Sequence, residues 1–348
     1  YQRKSGYSES RENFEGGPAD DTEGALDFGE RSLQESLVSY CVGVAFGRWD
    51  ARIALDPSLA LSLGPAFAPL PACPPGLLVG CDGFPATADG IASELWIRTR
   101  GDCLSLPSSL ASSKITIDDE LYPVGISWDG ILVDDLGHSD DIEKRVREVL
   151  EAILKELADP GERKACESLG VKNLREYFRK SGKGGFWDDH ISRYSKNRRK
   201  APIYWLLQSS KKNYALWLYY HRLDKDLFFK ALVNYVEPKI QREINRLDEI
   251  RLQKQAAGQS GKGAKKLDKD IERQEDLISE LRDFEDKLRH VANLNLEPDL
   301  NDGVVLNIAS LHELVPWKEA KNYWDELVQG KYGWSSIGKQ LRQNRIVK

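Results

Sequence analysis

The chain has 348 residues, of which 41% are hydrophobic and 30% are charged, and its 50 Lys and Arg residues stand against 55 Asp and Glu. This length and composition predict a soluble protein of two or three domains, each large enough to bury a core. No apolar run approaches the roughly 20 residues that cross a bilayer, and the N-terminus does not resemble a signal peptide, so we expect a cytoplasmic protein without a membrane partner.

The five cysteines are odd in number and lack the spacing of a metal site, although Cys73 and Cys81 are close together in the sequence. We therefore expect free thiols in a reducing compartment and no bound metal. The chain also begins at Tyr1 and contains no methionine, which predicts that a further segment precedes it in the complete protein.

Residues 1–31 are rich in Gly, Ser, Asp and Glu, which predicts an acidic linker from an upstream catalytic domain. Residues 32–138 are predicted to form a mixed α/β region. It begins with a buried helix that ends at Gly47, and it contains an irregular insert rich in proline and glycine at residues 64–90.

A strand, a turn at Asp129 and Gly130, and a second strand are predicted within residues 121–133. Residues 139–224 are then predicted to combine helices with a β-hairpin, as a DNA-recognition or target-recognition region. Asp140 and Glu143 have the spacing of a capping box, so they predict the start of its first helix.

The sequence Asp-Pro-Gly at residues 159–161 predicts the end of that helix, and a second helix is expected at about residues 162–181. Two short aromatic-rich runs follow, separated by the polar QSSKKN. They predict the strands of the hairpin at residues 202–207 and 214–220.

Residues 225–294 have a helical period that is broken only at residues 256–266, which predicts an antiparallel, coiled-coil-like helical hairpin. Each arm would be roughly 35–40 Å long. The predicted contact positions are Val236, Ile240, Ile244, Leu247 and Ile250 in the first arm and Leu267, Ile271, Ile278, Leu281 and Leu288 in the second, with Gln274 and Glu285 as polar exceptions.

Residues 295–348 predict a C-terminal tail with a strand at residues 304–308 and a helix between Pro316 and Gly330. The predicted fold class is therefore α+β and mainly helical. It combines a helical and short-sheet recognition region, a long antiparallel helical hairpin and a small C-terminal α/β tail.

Residues 174–222 contain 12 Lys and Arg against 3 Asp and Glu, inside a chain whose net charge is −5. Cations of this density supply phosphate contacts, and Arg or Asn can also read base edges in the major groove, so we predict a DNA interface. A solvated basic loop beside core aromatics is the simpler alternative. The candidate DNA-binding residues are Arg193, Tyr194, Lys196, Asn197, Arg198, Arg199, Lys200, Lys211 and Lys212.

A nuclease is a remote alternative, because Asp299 followed by Glu319 and Lys321 has the spacing of a PD-(D/E)xK motif. In that chemistry the carboxylates hold Mg²⁺ and the lysine polarises the phosphate or the attacking water. The motif requires its second half on a strand, whereas residues around Glu319 have a helical period.

Three other features allow a functional interpretation, but each has a simpler structural one. An acidic cluster beside His138 could bind a metal, although a turn and a helix N-terminus also explain its carboxylates. The glycine-rich SGKGG and SGKGA do not complete a phosphate-binding loop and are interpreted as turns. His190 and His221 have no accompanying nucleophile, so structural or DNA-facing roles are expected for both. The acidic residues of the cluster are Asp129, Asp134, Asp135, Asp140 and Asp141.

Several long strings resemble the C-terminal region of PglX-like adenine-specific DNA methyltransferases, which belong to BREX and DISARM phage-defence systems and are related to type II restriction–modification enzymes. The resemblance begins at about Leu33. The strings are SLVSYCVGVAFGRWD, WDGILVDDLGHSDDIEKRVREVLEAI, RYSKNRRKAPIYWLLQS, WLYYHRLDKDLFF and LNDGVVLNIASLHELVPWKEAKNYWDELVQGKYGW.

The resemblance implies methyl transfer from S-adenosylmethionine to the adenine amine, with the catalytic and cofactor motifs upstream of this chain. The family's (N/D)PP(Y/F) motif is absent, since Pro74 and Pro75 form the only Pro-Pro pair and lack its flanking residues. No catalytic or cofactor residue is therefore assigned. We expect a DNA-recognition part that works with double-stranded DNA, an upstream methyltransferase domain or chain, and other defence-system proteins. The alternative is a non-catalytic DNA-binding or assembly subunit.

Overall fold

The computed structural model describes residues 22–56, 78, 122–196, 199–257 and 262–346. Short 3₁₀ segments occur at Lys155–Leu157, Tyr220–Arg222, Leu300–Asp302 and Ala309–Leu311, and a π-helical segment occurs at Leu232–Val236. The strands are β1 (Ile131–Val133), β2 (Ser195–Lys196), β3 (Arg199–Lys200), β4 (Tyr204–Gln208) and β5 (Ala215–Tyr219). The helices are α1 (Thr22–Ala45), α2 (Ala51–Leu55), α3 (Ile142–Leu154), α4 (Ala158–Leu169), α5 (Leu174–Arg179), α6 (Phe186–Arg193), α7 (Leu227–Ala231), α8 (Glu237–Ala257), α9 (Lys262–Asn293), α10 (Val304–Ile308), α11 (Lys318–Val328) and α12 (Ser336–Gln343).

A small antiparallel sheet with the strand order β1-β5-β4 lies at the centre of the main core. Every residue of β4 and β5 is buried, so helices and loops cover both faces of the sheet. The register pairs Leu206 with Trp217, which is among the largest fully buried side chains. The predicted β-hairpin and the mainly helical α+β class are therefore confirmed.

Helix α1 packs against α3 and α4. Phe46, the residue that follows α1, contacts the sheet, and its ring stacks on those of Tyr204 and Tyr219. Helix α1 begins at Thr22, so the last part of the predicted linker is helical. The chain leaves α1 at Gly47, whose φ of +67° suits a residue without a β carbon. The predicted insert at residues 64–90 lies outside the described residues, apart from Leu78.

Two strands were predicted within residues 121–133, but the described residues 122–133 contain one, β1. Residues 122–127, where the first was expected, form bends and irregular backbone. The turn between the predicted strands is confirmed. Gly130 has a φ of +75°, and the Asp129 carboxylate accepts a hydrogen bond from the amide of Ile131 at 3.0 Å. This Asx-type bond fixes the entry into β1.

The predicted start of α3 is wrong by one residue, because Asp141 is the N-cap and accepts from the amide of Lys144. The Asp-Pro-Gly sequence at residues 159–161 does not end a helix but lies in the first turn of α4. Backbone amides in the first turn have no partner within the helix, so the proline there costs no hydrogen bond, and the negative charge of Asp159 interacts favourably with the helix dipole. The single helix predicted at residues 162–181 is divided at Gly170, whose φ is +67°.

Helices α8 and α9 form the predicted antiparallel hairpin, of which residues 258–261 lie outside the described part. Phe284 is fully buried although it was not among the predicted contact positions. The polar exception Gln274 is also buried, and its amide donates to the carbonyl oxygen and carboxylate of Glu243 at 2.9 and 2.6 Å. The predicted contact positions that are buried are Val236, Ile240, Leu247, Ile278, Leu281 and Leu288.

The strand predicted at residues 304–308 is wrong, because these residues form α10, and the described part of the C-terminal tail is helical. Asn307 holds this turn by donating to the carbonyl oxygens of Asp299 and Gly303. Helix α11 begins two residues after Pro316, and Gly330 follows it with a φ of +79°, as predicted. A second small core joins these helices through Leu296, Leu306, Ala309, Leu327, Ile337 and Leu341.

Cys41 and Cys166 are free and buried, and burial raises the pKa of their thiols to about 12 and about 11. Both thiols are therefore protonated and unreactive at neutral pH. Among the helices of the described part, none is long and apolar enough to cross a membrane.

Candidate nucleic-acid interface

The basic residues 193–200 are carried by α6 and by the two-stranded ribbon that β2 and β3 form. The register pairs Ser195 with Lys200 and Lys196 with Arg199. The backbone amide of Ala201 donates to the carbonyl oxygen of Tyr194 at 3.1 Å. This bond extends the pairing by one residue on each strand, at the end of the ribbon that joins the core. Asn197 and Arg198 stand between the strands in sequence and lie outside the described residues.

His190, on α6, fixes the chain where it leaves the ribbon and enters β4. Its Nε2 accepts hydrogen bonds from the amides of Ile203 and Tyr204, both at 3.0 Å. Burial, with smaller contributions from Arg48 and Arg193, lowers the pKa of His190 to about 3. The imidazole is therefore neutral at physiological pH and acts as a structural acceptor, which is one of the two roles expected from the sequence.

Tyr194 connects the base of the ribbon to the end of α1. Its hydroxyl accepts from Nη1 of Arg48 at 2.5 Å, and its ring lies 4.7 Å from that of His190. The Arg48 guanidinium lies over the Trp49 ring, 4.5 Å from its centroid. The ribbon thus begins on a rigid, aromatic part of the core.

Sequence reasoning did not identify Arg48, because it precedes Tyr194 by 146 residues and belongs to no basic cluster. The neighbouring Trp49 was the only local signal, and one Arg-Trp pair is too common to indicate a site.

The structure does not bring all predicted DNA-binding residues together. Arg193 is exposed at the end of α6 and donates to Ser36 at 3.1 Å. Lys211 and Lys212 lie in the β4–β5 turn, at the far end of β4, which is roughly 17 Å long. That turn rests on α9, where the Glu280 carboxylate accepts from the backbone amide of Lys211 at 2.7 Å.

Several of the predicted cations already have partners. Lys200 forms a salt bridge of 2.7 Å with Glu319 of α11, and both side chains are 40% exposed. Lys211 pairs with the exposed Asp276 at 3.1 Å, and Lys212 donates to Ser181 at 3.0 Å. Because such exposed contacts contribute little, a phosphate could replace them.

The acidic cluster is occupied by cations of the protein. Asp134 pairs with Arg175 and Arg179, and Asp135 pairs with Lys239 and Arg242. Within the described ranges, no group of three or more His, Cys, Asp or Glu side chains is arranged to hold a metal ion.

The residues of the nuclease motif do not fit that chemistry. Glu319 and Lys321 lie in the first turn of a helix instead of on a strand, and Lys321 pairs with Asp325 one turn later. Asp299 caps a 3₁₀ turn and accepts from the Ser336 hydroxyl at 2.5 Å. The glycines at residues 181–185 form the turn before α6, as predicted.

Two proteins of known family are similar to part of this chain. In an alignment that runs over 205 residues and covers 54% of this chain, it is 32% identical to the adenine-specific methyltransferase BrxX of Escherichia coli O9:H4 (strain HS). The chain is related to the PglX-like adenine-specific methyltransferases. Over 142 residues, or 40% of the chain, it is 30% identical to the adenine-specific methyltransferase PglX of Lacticaseibacillus casei (strain Zhang).

The PglX-like resemblance predicted from the sequence is thereby confirmed. The chain covers 16% of the length of BrxX and 11% of the length of PglX, so it corresponds to a small part of each relative. No protein-family model matches the chain.

Proposed function

We propose that this chain is a DNA-contacting, non-catalytic part of a larger PglX-like adenine-specific DNA methyltransferase. The observation that carries the proposal is the ribbon at residues 195–200, a basic element with an anchored base in a chain of net charge −5. A two-stranded ribbon has the width to enter the major groove, where Arg and Asn can read bases.

The ribbon register supports an anionic partner. The backbone register places Lys196 opposite Arg199, so two basic residues share one position along the ribbon. The hydrogen bonds of His190 and Tyr194 hold the base of the ribbon in place, so little order has to be gained on binding.

The methyl-transfer chemistry is assigned to other parts of the enzyme. Methyltransferases of this family use S-adenosylmethionine, and the sequence resemblance places the cofactor motif upstream of this chain. The loop between β1 and α3 is closed by ion pairs of Asp134 with Arg175 and of Asp135 with Lys239. We therefore assign no residue of this chain to the cofactor.

The proposal is tested by measuring DNA binding of the chain at several salt concentrations by fluorescence anisotropy with a labelled duplex. A ribbon variant, with Lys196→Gln, Arg198→Gln and Arg199→Gln, removes three cations. Each lost phosphate contact should reduce the log–log salt slope by about 0.9, so a decrease of about 2–3 is expected.

The matched control removes three exposed cations from the helical hairpin, through Arg251→Gln, Lys254→Gln and Arg273→Gln. It changes the net charge equally, so it separates a local contact from a general effect of charge. Equal slopes for wild type and the ribbon variant would contradict the proposal.

A further inference from the structure

Residues 327–348 contain five Lys and Arg and no Asp or Glu, in a chain whose net charge is −5. Three of these cations, Lys339, Arg342 and Arg345, lie in α12 or just after it, and all three residues are exposed. Within the described ranges none of the three forms a salt bridge, whereas Lys331 pairs with a glutamate at 2.8 Å. This segment therefore presents positive charge that the described part of the protein does not neutralise.

The cations of α12 lie away from its buried face. Ile337 and Leu341, four positions apart, pack into the second small core. Lys339 and Arg342 are one turn apart and belong to the side of the helix that is turned away from this core. The side chain of Asn344 donates to the backbone carbonyl oxygen of the residue after α9 at 3.0 Å, which holds the end of α12 in place. The cations are therefore presented from a fixed support.

The carboxylates near α12 have partners at its N-terminal end. Asp299 accepts from the hydroxyl of Ser336 at 2.5 Å, and Asp302 accepts from the first two backbone amides of α12 at 3.0 and 2.8 Å. The hydrogen bond from Ser336 and, less strongly, the charge of Lys339 lower the pKa of Asp299. Both carboxylates thus bind the start of the helix, and the cations near its other end face solvent.

An exposed aromatic ring adjoins these cations. Trp334 is 65% exposed, whereas three other tryptophans are among the largest fully buried side chains. Its ring lies 6.4 Å from that of Tyr332, in an edge-to-face arrangement. Arg342 packs against the residue between them, because a β carbon at Gly333 would lie only 2.8 Å from Cζ of its guanidinium. A cation and a large, open aromatic face are therefore direct neighbours.

We propose that the α12 surface, formed by Trp334, Lys339, Arg342 and Arg345, binds an unpaired strand of DNA. Proteins that hold single strands combine cations along the backbone with aromatic rings on which bases stack. Here the three cations contact phosphates, and one base stacks on Trp334. A duplex offers phosphates but no open base face, so the exposed ring favours a single strand. The assignment of the strand to DNA rests on the proposed function.

The stacking contact is tested by fluorescence anisotropy of the chain with a labelled single-stranded DNA oligonucleotide. Trp334→Ala should weaken binding roughly 5- to 150-fold, because one stacked base is lost. Trp334→Phe keeps an aromatic face and should recover most of the affinity. A loss that Trp334→Phe shares in full would show that stacking is not the contact and would overturn this role of the ring.

The phosphate contacts are tested with a cation variant that carries Lys339→Gln, Arg342→Gln and Arg345→Gln. Each lost contact with a single strand should reduce the log–log salt slope by about 0.7, so a decrease of about 2 is expected. The hairpin control of the duplex assay removes the same number of charges and should keep the slope of wild type. Equal slopes for wild type and the cation variant would exclude these phosphate contacts.

Thermal unfolding separates a binding role from a packing role. The ring of Trp334 is largely exposed, so Trp334→Ala and the cation variant should unfold within a few degrees of wild type. A large decrease in the midpoint of Trp334→Ala would assign the ring to packing and overturn its binding role. If that variant does not fold, Trp334→Leu replaces it, since leucine keeps an apolar side chain without a π face.

The outcomes distinguish this surface from the proposed function. Equal single-strand binding by wild type, Trp334→Ala and the cation variant overturns the α12 surface, whatever the ribbon variant shows with a duplex. Weaker single-strand binding by both α12 variants, beside an unchanged duplex slope of the ribbon variant, supports the surface and contradicts the ribbon as the contact element. Polyglutamate that binds through the same cations while Trp334→Ala has no effect would assign the surface to an acidic protein and overturn the DNA strand.

Discussion

Asp134 and Arg175 form an ion pair in the interior of the protein, where their side chains are only 1% and 10% exposed. Asp134 directly follows β1, and Arg175 belongs to α5, so the pair joins the central sheet to the helical layer. Arg175 also pairs with Asp141, the N-cap of α3, at 2.6 Å. One guanidinium therefore connects three elements.

Replacing Arg175 by Met should lower the free energy of unfolding by about 3–5 kcal/mol, because it removes the cation shared by three buried carboxylates, those of Asp134, Asp141 and Glu143. Urea unfolding followed by tryptophan fluorescence would measure this loss. Arg163→Met is the matched control on the neighbouring α4, where the side chain is exposed, and it should cost less than about 0.5 kcal/mol. Similar midpoints for the two variants would show that the buried network is not a major source of stability.

The buried contact between Gln274 and Glu243 should fix how α8 and α9 align. Burial alone would raise the pKa of Glu243, but hydrogen bonds from Lys239 and Gln274 lower it below its usual value. Gln274→Leu removes one of these donors and should cost about 1–3 kcal/mol at pH 7. Urea unfolding measures this loss of free energy. Gln241→Leu, at an exposed position of α8, is the control and should leave the free energy of unfolding nearly unchanged.

This depressed pKa also predicts a dependence on pH. The stability that Glu243 contributes is fully present above the pKa of the unfolded chain and is lost as the pH falls through the lower, folded value. Gln274→Leu should therefore lose part of its effect on stability at low pH, where Glu243 is protonated in both states and the bond to its carbonyl oxygen, which does not titrate, remains. A constant difference between variant and wild type across this range would contradict the assignment.

His190 predicts a second pH effect, of the kind expected for a buried neutral base. Its folded pKa of about 3 lies below that of the unfolded chain, so the unfolded state binds a proton first as the pH falls. Stability should decrease below pH ~6.5, with a slope approaching about 1.4 kcal/mol per pH unit for one proton. His190→Gln keeps an acceptor without titrating, so its slope between about pH 7 and 5 should be smaller. Equal slopes for both proteins would contradict this role.

The long periodic elements could be predicted because their signals are local. The helical hairpin repeats its apolar positions over many turns, and the β-hairpin has two aromatic runs around a polar turn. The strand predicted at residues 304–308 failed because a run of five mainly apolar residues fits a buried strand or a helical turn equally well. The side-chain amide of Asn307 stabilises the helical turn by donating to the carbonyl oxygens of Asp299 and Gly303. Sequence patterns do not reveal these contacts.

Adjacent residues of the same type limited the prediction of the α3 start. Asp140 and Asp141 can both cap a helix, and the three-dimensional position of Arg175 favours Asp141. The basic cluster at residues 193–200 was visible because its charges are contiguous. The contact of Arg48 with Tyr194 at the base of the ribbon was not, because folding alone brings these two residues together.

Glu319 should weaken DNA binding, because its carboxylate competes with phosphate for Lys200, the last residue of β3. Glu319→Gln removes this competitor and one negative charge beside the ribbon. Since a half-exposed salt bridge contributes up to about 1 kcal/mol, DNA affinity should rise by up to about fivefold. Anisotropy at low salt would measure the change, and the gain should disappear when Lys200→Gln is added.

Asp325→Asn on the same helix removes an equal charge from an exposed pair with Lys321 and is the control. An equal gain from both substitutions would indicate a general effect of charge, and no gain from Glu319→Gln would remove Lys200 from the DNA contact.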